Sequence, residues 1–164
     1  MVKSIEIFES IARKAYRFTA RSTSDIVDQH PFESRNIHEN IPDIVRRLFD
    51  DGHYSHATFE AYKYIDKEVA RLASKSATGY KLMMDAFNEQ NPLIKLNSMI
   101  SMSEKDEQIG YKFLFAGGMS GIRNPRGHEY DMKDDIETCI SHLGLGSMLL
   151  RKLEEAGHQL SKHT

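Results

Sequence analysis

The chain has 164 residues, 40% of them hydrophobic and 28% charged, enough for one domain with a buried core and ordinary for a globular protein. A net charge of −2 excludes a global pull toward nucleic acid, so any polyanion must be met by a local patch. The single cysteine, Cys139, excludes an intrachain disulfide; with no apolar leader and no run of about 18 apolar residues, the expectation is a cytosolic protein with no membrane span.

Residues 2–20 carry Ile5, Phe8, Ile11, Ala15 and Phe18 at three- and four-residue spacing, which predicts an amphipathic helix. Residues 21–39 are polar and read as a connector, so 1–39 is expected to be an arm that packs on the core or on a partner chain. Asn40 is the expected N-cap of a helix with Pro42 in its first turn, ending near Phe49 before Asp50-Asp51-Gly52. A longer helix is predicted over 54–74, where Tyr54, Ala57, Ala61, Ile65 and Leu72 share a face. A short helix follows over 80–88, then a loop punctuated by Asn91-Pro92.

Ser103 and Asp106 resemble a capping box opening a helix that reaches Ile122. Its apolar residues (Ile109, Phe113, Leu114, Phe115, Ala116, Met119, Ile122) lie nearly all round, so it is expected to be central and buried. Gly117, Gly118 and Gly121 each cost roughly 1 kcal/mol inside a helix, which calls for a close helix approach or room for a ligand. Asp131, Asp134 and Asp135 suit the start of a last helix, marked by Met132, Ile136, Cys139/Ile140, Leu143, Leu150 and Leu153, that runs to about Glu155. A polar tail, 158–164, follows. No β-alternation persists, so the fold class is all-α: a bundle of four or five helices over 40–157 with an N-terminal arm.

Between the last two long helices lies Ile122-Arg123-Asn124-Pro125-Arg126-Gly127-His128-Glu129-Tyr130. Pro125 lacks an N–H and disfavours helical geometry at Asn124, so the arriving helix is expected to break near Arg123. A guanidinium, an amide and an imidazole would then sit at a tight junction suited to a phosphate.

With these residues in view, the chain resembles the phage- and defence-associated Ymh family. The likeness lies in Leu48-Phe49-Asp50-Asp51-Gly52-His53-Tyr54, Phe59-Glu60-Ala61-Tyr62-Lys63, Ala86-Phe87, Asn91-Pro92-Leu93, Asp106-Glu107-Gln108, Leu114-Phe115-Ala116-Gly117 and the junction itself, over roughly 40–155. That family looks like a branch of the HEPN superfamily, helical domains marked by Arg, four to six residues, then His, often with a polar residue after the Arg. Arg123, Asn124 and His128 fit with four intervening residues. As a bare pattern Arg-x4-His is weak; at a helix junction inside a long family likeness it is specific.

The resemblance implies a metal-independent ribonuclease that needs no cofactor, and the residues suit that chemistry. RNA brings its own nucleophile, the 2′-OH. His128 can serve as base or acid near neutral pH. Arg123 can offer a planar fork of donors as charge builds on the phosphorane. Asn124 can orient His128 or donate to the phosphate, and Arg126 is read as a substrate-backbone contact. The expected products are a 2′,3′-cyclic phosphate and a 5′-hydroxyl. One motif supplies one imidazole, whereas in-line cleavage is best served by a base and an acid, so a two-fold homodimer with facing motifs is expected, as the resemblance also implies. A toxin or effector of phage defence would also need an antitoxin or other regulatory protein. The other readings are a non-catalytic module binding RNA or protein, and a structural dimerisation domain of a defence complex.

Other residues carry blander expectations. Arg123 can pair with Asp131 or Glu129 at a helix end, leaving His128 a plain surface residue. Tyr130 completes a form resembling HEPN toxins silenced by nucleotidyl transfer onto that tyrosine; an ordinary packed Tyr is the competing reading. His53 and His56, beside Asp50 and Asp51, are a candidate metal pair lacking a third ligand, so no metal is assigned. Arg35-Asn36-Ile37-His38 looks like a second motif with too short a spacing and is read as a decoy. Cys139 is read as an inert core residue, and Arg46-Arg47 and Arg151-Lys152 as solvated pairs that a dimer could align into an RNA track.

Overall fold

The computed structural model describes residues 29–129 and 131–162. The chain divides into two compact units, 1–34 and 35–164. The described part of the first holds one helical turn, Pro31–Ser34, with the His30 Nδ1 accepting from the Phe32 N–H at 3.1 Å. The helix expected over 2–20 lies outside the described residues. The division falls after residue 34 and not after 39 because His38 is built into the larger unit. Its backbone N–H donates to the Ser147 hydroxyl at 3.0 Å, and its ring meets Glu154.

The larger unit is all-helical among its described residues: α1 (Asp43–Asp50), α2 (Tyr54–Ala73), α3 (Gly79–Ala86), α4 (Met102–Gly117), a π-helical segment (Gly118–Arg123), α5 (Asn124–His128) and α6 (Ile136–Glu155). None of these helices is long and apolar enough to cross a membrane.

The organising helix is α2, not the helix after Ser103. Half of α2 is buried, from Ala57 and Thr58 through Tyr62, Ile65 and Val69 to Ala73, and it packs against α1, α3, α5, α6 and the π segment. On α4 only Gln108, Lys112, Phe115 and Ala116 are buried, while Phe113 and Leu114 remain 54% and 42% exposed. An apolar pattern running all round a helix cannot by itself distinguish a buried position from one with an open face. Here the face is open.

The ends of the helices also differ in detail. Asn40 does not cap α1, whose N-cap is Pro42; the Asn40 N–H donates to His38 Nδ1 instead. The capping box of α4 is Ser101 with Glu104, two residues earlier than expected. Glu104 accepts from the Ser101 and Ile100 N–H groups and from the Ser98 hydroxyl, and these bonds hold its carboxyl down to about 2. Of the three aspartates before α6, Asp135 is the cap, accepting from the Thr138 N–H at 2.7 Å.

Two buried polar side chains tie loops to this frame. Gln108 donates to the carbonyls of Phe87 and Ile94 and accepts from the Leu96 N–H, fixing the 87–96 loop without an orphaned group. Asp66, with a side chain only 4% exposed, accepts from the Gly79 N–H at 2.7 Å, where φ is +67°. The tail is docked as far as Ser161, whose N–H reaches Glu68 and whose carbonyl accepts from the Tyr64 hydroxyl.

Candidate functional site

The junction begins one turn before Arg123. Gly118 sits so close to α2 that a Cβ there would lie 2.9 Å from Tyr62, so glycine is required for the approach. From Gly118 the helix widens to a π turn, and the Asn124 N–H donates to the Met119 carbonyl five residues back. The expected break near Arg123 does not occur. Asn124 keeps helical angles (φ −62°, ψ −44°) and the chain stays helical to His128, leaving only at Glu129. The wider turn carries the backbone ahead of Pro125 clear of its ring, which a plain α-helix could not do. Gly117 and Gly121 have open space where a Cβ would stand, so among the three glycines only Gly118 answers to close packing.

Arg123 closes the π segment. Its guanidinium lies over the Phe59 ring, 5.7 Å from the centroid, and its Nη2 is 3.8 Å from Asp66 Oδ2. That separation gives attraction without a good hydrogen bond. Nη1 donates to Asn124 Oδ1 at 3.3 Å, and Nε is buried without any partner. A buried N–H left unpaired costs on the order of 1–3 kcal/mol, so this arginine is held in place with donor capacity unspent. Asn124 and His128 are four apart on α5 and therefore share a face. His128 is exposed, and among the described residues nothing pairs with its ring. Gly127 lets α5 approach α2, since a Cβ there would stand 2.9 Å from Phe59.

Arg126 is placed differently from expectation. Its side chain is 3% exposed and turned inward, where Nε and Nη2 each donate to one Asp134 oxygen at 2.6 Å. Nη1 satisfies the Ile122 carbonyl at 2.7 Å, and Nη2 lies 3.2 Å from His142 Nδ1. A guanidinium so committed has nothing left for a substrate strand; it is the bolt that fixes α5 to the segment before α6. Burial, and then the neighbouring guanidinium, hold the His142 imidazole below its ordinary value. Arg123 pairs with neither Asp131 nor Glu129 but with Asp66.

The structure thus brings Arg123 and Asn124 into contact, sets His128 on the Asn124 face, and removes Arg126 to the interior. Tyr130 lies outside the described residues. His53 and His56 stand with ring centroids 6.5 Å apart, and no cluster of three or more His, Cys, Asp or Glu among the described residues could hold a metal ion. Cys139 is fully buried and its sulfur meets the Thr58 hydroxyl; burial pushes the thiol up. Arg151 and Lys152 are taken up by the Asn36 carbonyl and by Glu107.

Sequence reasoning missed Phe59 and Asp66, the groups that hold Arg123. A signal existed for Asp66: a carboxylate set directly after Tyr64-Ile65 in an apolar stretch of α2 is a buried charge in want of a partner.

Fold and site together define an all-α domain with an Arg-x4-His junction in which Arg123 is half-buried and His128 exposed. More particularly, the chain belongs to the Hypoth_ymh family, described as proteins of unknown function, whose model matches residues 35–153. No curated protein and no solved structure matches the chain.

Proposed function

We propose that this chain is a metal-independent endoribonuclease of the HEPN type. The observation that carries the reading is Arg123: a guanidinium fixed by Phe59, Asn124 and Asp66, its side chain still 24% exposed, next to a helix face bearing the exposed His128 imidazole. Arg126, by contrast, is turned inward and bound to Asp134 and the Ile122 carbonyl.

In the proposed reaction an imidazole takes the proton of the 2′-OH as its oxygen bonds to phosphorus. Arg123 then neutralises the equatorial oxygens, and the P–O5′ bond breaks with a proton delivered to the 5′-oxygen. The products are a 2′,3′-cyclic phosphate and a 5′-OH end. Since each chain offers one His128, base and acid would come from two copies paired about a two-fold axis. The open side of α4 and the π segment, with Phe113, Leu114, Gly117 and Gly121 uncovered, favours such pairing. A phage-defence toxin or effector, kept in check by an inhibitor protein, is the role that fits such an activity.

The test is incubation of purified protein with total RNA in EDTA, beside Arg123→Ala and His128→Ala. Cleavage with kinase-labelable 5′-OH ends, lost in both variants, supports the reading. Binding without cleavage would leave a non-catalytic RNA module, and neither would leave a structural dimerisation domain.

A further inference from the structure

The N-terminal end of α2 faces residues 132–134 across an open cleft of about 410 Å³, a size that suits a small ligand. His53, His56 and Lys133 line it, all three are exposed, and among the described residues none has a hydrogen-bond or ion-pair partner in the protein. Tyr54, its ring set edge-on against Phe49, and Met132 supply the apolar part of the lining. The acid that lines the cleft, Asp134, has both carboxylate oxygens bound by Arg126, and the first turn of α2 holds no acidic residue. Among the lining residues the charge left unpaired is therefore that of Lys133.

This cleft is joined to the Arg123 site by two routes. Along α2, His56, Phe59, Lys63 and Asp66 recur at helical spacing on one stripe, and Phe59 and Asp66 are the groups that hold Arg123. Across the cleft, the Asp134 N–H donates to the Ser55 hydroxyl at 2.8 Å while the Asp134 carboxylate grips Arg126. A strand leaving the cleft past His56 would run toward the Phe59 ring on which Arg123 lies.

We propose that the cleft is a second subsite for single-stranded RNA. His53, His56 and Lys133 would hold the phosphate of a nucleotide flanking the scissile one, and Tyr54 and Met132 would face its base. The choice of RNA rests on the ribonuclease reading above; the cationic, partly apolar character of the cleft does not.

The probe is a fluorescein-labelled 2′-O-methyl oligoribonucleotide, which lacks the attacking hydroxyl and so reports binding alone. By fluorescence anisotropy on the full chain, Lys133→Ala and the double variant His53→Ala/His56→Ala should each weaken binding roughly tenfold, and Lys133→Ala should lower the log–log salt slope by about 1. Thermal melts should match the parent protein because these side chains are exposed. The His53 and His56 ring resonances should also shift on titration with the oligonucleotide. Unchanged affinity in both variants, or ring resonances that respond to Zn²⁺ and not to the oligonucleotide, would overturn the subsite. The two readings fail separately. A parent protein that cleaves RNA while the cleft variants bind and cut normally keeps the nuclease and loses the subsite. A protein that cuts nothing, yet loses affinity in the cleft variants, does the reverse.

Discussion

Two segments set an arginine, an asparagine and a histidine within a few residues of one another: Arg35-Asn36-Ile37-His38 and Arg123-Asn124-Pro125-Arg126-Gly127-His128. The fold treats them in opposite ways. In the first the imidazole is buried and fully employed. Its Nδ1 accepts from the Asn40 N–H at 3.1 Å, which leaves Nε2 to donate to Glu154 at 3.0 Å, while Arg35 reaches out to Glu137 at 3.6 Å from an exposed position. In the second the arginine is held and the imidazole is free. Like residue types therefore say little until each donor and acceptor has been followed to its partner, and the segment with capacity left over is the one with chemistry to offer.

The comparison breaks most visibly in activity. Arg123→Ala should lower RNA cleavage about 10²- to 10³-fold, the usual effect of removing a donor that stabilises transition-state charge, whereas Arg35→Ala should leave the rate unchanged. Equal losses in the two variants, measured on one RNA under single-turnover conditions, would erase the distinction.

Stability should divide the arginines differently. Arg126→Ala strands Asp134 in the interior and should cost roughly 3–5 kcal/mol in a urea melt; Arg123→Ala, whose partner Asp66 lies 3.8 Å away and keeps the Gly79 N–H, should cost less. His38→Ala should cost about 1–3 kcal/mol and leave cleavage per folded molecule untouched, because it orphans a buried N–H and a carboxylate contact away from the junction.

Glycine substitutions sharpen the second segment further. Gly118→Ala should destabilise by roughly 1–3 kcal/mol through its clash with Tyr62. Gly117→Ala has open space and should leave the monomer's melting temperature unchanged or slightly raised; in sedimentation it should weaken self-association if that face is the dimer contact.

The smallest effect concerns pH. His142 has its folded value depressed below 6.5 by burial and then by Arg126, so its neutral form belongs to the native state. The stability it contributes is present above that value and is lost as pH falls toward the folded value, since the unfolded chain takes up the proton first. Melting temperatures between pH 7.5 and 5.5 should therefore fall less steeply in His142→Gln than in the parent.

Much of this architecture is readable from the chain. The apolar spacing of 54–74 locates α2 to within a residue, and that of the last helix gives its end at Glu155, though Met132, counted among its apolar markers, lies four residues before α6 begins. The π segment is not readable that way. Its glycines signal that something is unusual, but neither periodicity nor Pro125 says that the helix will widen and continue instead of ending. Nor does sequence reveal which of Arg123 and Arg126 turns inward, since that depends on where Asp66 and Asp134, 57 residues before the first and 8 after the second, come to rest.

The π turn between Gly118 and Arg123 takes up one residue more than an α turn would. Deleting one position there would let the segment tighten to α geometry with Arg126 and His128 still in phase, and the loss would fall on Pro125, whose ring would press on the carbonyl four residues back. A variant one residue shorter in 118–123 should therefore keep the Arg126–Asp134 pair.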